Sequence, residues 1–77
     1  MDLVKGHRYR IIYKSDAQRT LRYAILDYLD EGEGSYEKGS YFFSARPLAG
    51  TQEMPKHWVH SIEEVAKNTA LTIGRKI

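Results

Sequence analysis

Tyr9, Ile11 and Tyr13 alternate with Arg8, Arg10 and Lys14, so apolar and cationic side chains fall on opposite sides of one extended segment. A period of two belongs to a β-strand with one face turned to a core, and no helix sorts these residues in that way. Ile12 breaks the alternation and sets one apolar side chain among the cations. Ser15, Asp16, Ala17 and Gln18 follow, with the turn-forming chemistry that ends a strand.

Residues 19–31 admit two conformations. As a helix they place Ala17, Leu21, Ala24, Ile25, Tyr28 and Leu29 on one stripe, opened by a capping box of Ser15 and Gln18 and stopped by Gly32. That alternative is an α+β fold in which a helix at about residues 16–31 packs on a small antiparallel sheet. In it, however, Arg19 and Arg22 would stand at the positive end of the helix dipole and Asp27, Asp30 and Glu31 at the negative end. The misplaced charges oppose the helix by about 1 kcal/mol in aggregate. As a strand, the segment shows Leu21, Tyr23, Ile25 and Leu29 on one face and Ala24, Leu26 and Tyr28 on the other. Two apolar faces suit a bent strand that serves first one side of a barrel and then the other, and the extended reading is preferred.

Residues 31–39 hold three glycines and several charges and read as a flexible loop. Residues 40–46, aromatic and bounded by Gly39 and Pro47, read as a strand; residues 47–55 read as a loop, and residues 56–60 as a further short strand. Ser61 with Glu64 three positions on predicts a single helical or 3₁₀ turn, residues 70–73 a closing strand, and residues 74–77 a short tail.

A chain of 77 residues without cysteine has room for one small domain and no disulfide staple, cysteine zinc ribbon or thiol nucleophile. Four or five short strands and one short helical turn near the C-terminus describe a mainly β fold, a small SH3-like or Sm-like barrel, whose curled sheet leaves few free edges. No apolar stretch reaches the length of a signal peptide or a membrane span, so a cytoplasmic protein without membrane attachment is expected. The net charge of +2 hides a division. Residues 1–22 carry six cations against Asp2 and Asp16, and residues 27–37 carry five carboxylates and no cation.

In chain order, Ile12-Tyr13-Lys14, the polar turn, Arg19-Thr20-Leu21-Arg22, the aromatic run from Tyr41 to Arg46 and the segment from Val59 to Val65 resemble the WYL domain over about residues 8–65. The resemblance implies an Sm-type barrel acting as a regulatory, ligand-sensing or nucleic-acid-binding part of a larger regulator. Val59, Ile62 and Val65 keep the apolar spacing of the family's last motif, whereas His60 and Ser61 stand where that motif has Asp and Arg, and the Trp-Tyr-Leu tripeptide is missing.

The residue types argue against catalysis. The carboxylates cluster in a glycine-rich loop, and no Gly-x-Ser-x-Gly elbow supports Ser40, Ser44 or Ser61 as a nucleophile with His7, His57 or His60 as base. His57 and His60, three apart on a strand, point to opposite faces, so neither a metal site nor any other cofactor is expected. Single-stranded nucleic acid is the expected partner. Arg8, Arg10, Lys14, Arg19 and Arg22 would meet phosphates, and Tyr23 and Trp58, with Tyr41 or Phe43, would stack bases. Two registers of the first hairpin differ in outcome: Lys14 opposite Arg19 sets Tyr23 beside Arg10 on the basic face, and a one-residue slip puts Arg22 there and Tyr23 in the core. The alternative is a protein-interaction or small-ligand-sensing module without nucleic-acid affinity. It would use Leu48 and Met54 as an exposed apolar pair and act as a monomer or as a weak homodimer through a free strand edge.

Overall fold

A computed structural model of the chain describes residues 2–34 and 38–77. Its six strands form one antiparallel sheet: β1 (Arg8–Tyr13), β2 (Arg22–Gly32), β3 (Ser40–Ser44), β4 (Thr51–Pro55), β5 (Val59–Glu64) and β6 (Thr72–Lys76). The hydrogen-bonded order is β4-β3-β2-β1-β5, with β6 returning to pair with β2. A 3₁₀ turn, Lys56–Trp58, carries the chain from β4 to β5. These two strands end the path, and no ladder joins them among the described residues, so the small barrel stays open there.

The preferred mainly β reading holds, and the helix at residues 16–31 is not formed. Those residues begin as the β1–β2 connection and continue as β2, which bonds β1 along one edge and β6 and then β3 along the other. A lone helix could satisfy its own backbone but would leave β1 with one neighbour fewer; three ladders on one strand give the sheet its continuity. Ala24, Leu26 and Tyr28 face inward and are buried, as the two-face pattern predicts. The register shifts between Tyr28 and Asp30, leaving Leu29 as the extra residue of a bulge and 40% exposed. The bulge lies within the β3 ladder, beyond the last pair with β1 at Asp27, and bends β2 there.

Tyr9 and Ile11 of β1, Phe43 of β3, Ala45 just beyond β3 and Met54 of β4 complete the core with the inward face of β2. Tyr28 is the hub of its aromatic cluster, with ring centroids 6.4 Å from Tyr9, 5.8 Å from Phe43 and 6.5 Å from Tyr41, all in edge-to-face arrangement. Burial raises the Tyr28 phenol pKa above its usual range.

Four local expectations are corrected. Residues 51–55 are a strand, not loop; Pro55 is tolerated because it ends β4, at the margin of the sheet where no further ladder donor is required. The single helical turn is formed by residues 56–58, not 61–64, and residues 59–64 are extended because β1 offers them a ladder. Residues 74–76 are strand, not tail, since β2 has an open edge beside them. Of the expected loop at residues 31–39, Glu31 and Gly32 belong to β2, and residues 35–37 lie outside the described residues.

Candidate ligand-binding groove

The hairpin of β1 and β2 decides which side chains share a face. Its ladder sets Arg10 opposite Ile25, Ile12 opposite Tyr23 and Tyr13 opposite Arg22. This is neither of the two registers weighed above. It is displaced by two residues from the one with Lys14 opposite Arg19, and a slip of two preserves the faces, so Tyr23 remains with Arg10 on the outer side. Arg22, opposite Tyr13, points to the inner side and donates from Nη1 to the Gly74 carbonyl at 3.1 Å.

Arg10, Ile12, Tyr23 and Ile25 line an outer groove of about 590 Å³ that is completed by Lys76 and Ile77. Ile25 and Ile12 form its apolar floor, Tyr23 gives a half-buried ring, and Arg10 and Lys76 supply positive charge from different strands. Arg75 stands opposite Tyr23 in the β2–β6 ladder. The end of β6 reaches this position because Gly74 adopts φ +54°, with its Cα so close to Tyr13 that a Cβ there would lie 2.9 Å from the Tyr13 hydroxyl. Only glycine takes that conformation without strain. The Arg10 guanidinium is ion-paired through Nη2 with Glu63 Oε1, its direct neighbour on β5.

The remaining predicted cations are not assembled here. Arg8 also points outward, but it grips Asp27 in a fork, Nε to Oδ1 at 2.8 Å and Nη2 to Oδ2 at 3.1 Å, and Nη1 donates to the Thr69 carbonyl at 2.6 Å. Lys67 Nζ approaches the same carboxylate at 3.1 Å and donates to the Gly6 carbonyl at 2.6 Å. The Asp27 carboxyl is held below the usual carboxylate range, first by the Arg8 hydrogen bonds and then by those of Lys67, against the opposing effect of burial. Arg8 is raised above its usual value by the same partner. This cluster fastens the β5–β6 connection to the first hairpin and engages the Nε–Nη2 edge of Arg8 that a phosphate would otherwise take in a fork. Lys14 donates to the Gln18 carbonyl at 3.3 Å, and Arg19 is exposed in the β1–β2 connection.

Trp58 lies away from the groove. Its ring is stacked on Tyr13 with centroids 6.4 Å apart and planes within 16°, and it packs against the core. His57 Nε2 meets Asp16 Oδ2 at 3.2 Å, and hydrogen bonds from His57 and then Trp58 lower the Asp16 pKa. His60 is exposed on β5, and among the described residues no three His, Asp or Glu side chains converge as metal ligands. Tyr41 and Phe43 belong to the Tyr28 cluster; Lys56 sits 5.3 Å above the Tyr41 ring and is held above its usual pKa by Glu31.

The proposed apolar pair is also divided. Leu48 is 61% exposed, but Met54 is 5% exposed and part of the core, so the two do not form a common surface. Residue spacing missed this because residues 51–55 lack an apolar period, and Met54 alone marks their inward side. Lys76 and Ile77 were missed as groove residues because only the pairing of β6 with β2, some fifty positions apart, brings them there. No helix is long and apolar enough to cross a membrane among the described residues. No family model, curated protein or solved structure matches the chain.

Proposed function

We propose that the chain is a non-catalytic binding module whose outer groove takes a segment of single-stranded nucleic acid. One observation carries this reading: Tyr23 and Arg10 share the outward face of the first hairpin, and β6 sets Lys76 against the same groove. A base can stack on the Tyr23 ring and lie over Ile12 and Ile25 while the flanking phosphates meet Arg10 and Lys76. Stacking of this kind contributes about 1–3 kcal/mol per base and tolerates any base, because every base has a π-face. Arg8, Arg22 and Trp58 are left out of the contact set, since each is engaged in holding the fold.

Fluorescence anisotropy with a labelled oligothymidine of about 10 nucleotides tests the reading. Two phosphate contacts predict a salt slope near −1.4, so affinity should fall about sevenfold between roughly 50 and 200 mM salt. Tyr23→Ala is expected to weaken binding at least about fivefold while leaving that slope unchanged, and Tyr23→Phe to restore it. The double variant Arg10→Glu with Lys76→Glu should flatten the slope. Absence of binding by the native chain at about 50 mM salt overturns the reading and leaves a protein or small-ligand partner for the groove.

A further inference from the structure

We infer that Glu63 is a built-in competitor for the nucleic-acid phosphate at Arg10, an inference that rests on the function proposed above. Arg8 and Arg10 are two residues apart on the outer face of β1, and each is paired with a carboxylate on a neighbouring strand. The two pairs are built differently. The Arg8 and Asp27 side chains are 14% and 18% exposed, and Arg8 is held by a two-bonded fork and a backbone carbonyl. The Arg10 and Glu63 side chains are 46% and 57% exposed, and one guanidinium nitrogen makes the contact.

An exposed ion pair of the second kind contributes little to folding, because water solvates both charges well when they part. A phosphate oxygen offers Arg10 the same charge-assisted hydrogen bond that the carboxylate does, with geometry that admits a fork. Ligand binding at the groove therefore exchanges one anion for another at Arg10. Glu63 swings into solvent at small cost. In the free protein the carboxylate holds the guanidinium toward β5, on the side of β1 away from β2 and β6, and disfavours weakly held anions, so that a ligand must also use Tyr23 to bind. Asp27 cannot act in this way, since releasing it would strip Arg8 and Lys67 of their shared partner.

Glu63→Gln tests the inference in the same oligothymidine assay, with Glu64→Gln as the control. Glu64 is the next residue of β5, pairs with His7 and does not touch Arg10, so its neutralisation changes net charge equally. Glu63→Gln is expected to tighten binding by up to about fivefold, the equivalent of removing one exposed ion pair, and Glu64→Gln by clearly less. In the Arg10→Ala background the gain from Glu63→Gln should vanish. Equal gains from the two glutamine variants, or a Glu63→Gln gain that survives without Arg10, overturn the inference while leaving nucleic-acid binding intact. Failure of the native chain and of Glu63→Gln alike to bind at about 50 mM salt overturns both.

Discussion

Phe43→Ala is expected to lower the unfolding free energy by about 3–5 kcal/mol. Phe43 is fully buried, contacts the Tyr28 and Tyr41 rings and stands on β3, which joins β4 to the rest of the sheet. Its removal leaves a cavity that three aromatic rings in edge-to-face contact cannot close without losing their own packing. A domain of this size has only about 4–12 kcal/mol in total, so the variant should be partly unfolded at room temperature or melt more than about 12 °C lower. Urea or thermal unfolding followed by circular dichroism measures this. Leu29→Ala is the comparison: Leu29 stands in the β2 bulge, and its truncation should change stability by less than about 0.5 kcal/mol. Equal losses from the two substitutions would contradict the placement of Phe43 in the core and of Leu29 outside it.

Asp27→Asn is expected to cost about 2–3 kcal/mol at neutral pH, because it leaves the largely buried Arg8 facing an uncharged amide and takes the charge partner from the exposed Lys67. The native Asp27 carboxyl has its folded pKa depressed, chiefly by Arg8. A depressed acid stabilises the fold fully above its unfolded pKa of about 3.9, and that contribution disappears as pH falls through the lower, folded value. The difference between native chain and variant should therefore be largest above about pH 5 and shrink on acidification below about pH 4. Urea unfolding at several pH values gives the test. A difference that stays constant down to about pH 2 would mean that Asp27 ionisation is not what holds the β5–β6 connection.

The parts of this fold that are local in the chain are legible in its residues. Alternation places Tyr9 and Ile11 inward on β1, and the placement of Arg19, Arg22, Asp27 and Glu31 against a helix dipole favours the extended form that β2 adopts. The two faces of β2 follow from the same alternation up to Tyr28. Asp30 escapes it because the bulge at Leu29 shifts every later side chain by one, and no residue preference marks the site. The strand β4 was hidden by its polar composition and by Pro55, whereas the turn at residues 56–58 carries no cap of the Ser-x-x-Glu type that drew attention to Ser61. Of the groove, Arg10 and Tyr23 were legible as a pair, subject to hairpin register. The partners that separate locked from releasable cations were not: Asp27 for Arg8, Glu63 for Arg10 and Gly74 for Arg22 lie 19, 53 and 52 positions away. Charge counts along the chain treat these arginines alike, and tertiary pairing makes them different.

Because β2 holds β1 on one side and β6 and β3 on the other, detaching any single outer strand uncovers only a portion of its backbone. Amide protons of residues 24–26 should consequently exchange with solvent last, through global unfolding alone, and those of β4 earlier, through partial opening. The ring of Tyr23 projects from the position next to that stretch, and a ligand seated on it would meet a surface that scarcely has to be ordered on binding.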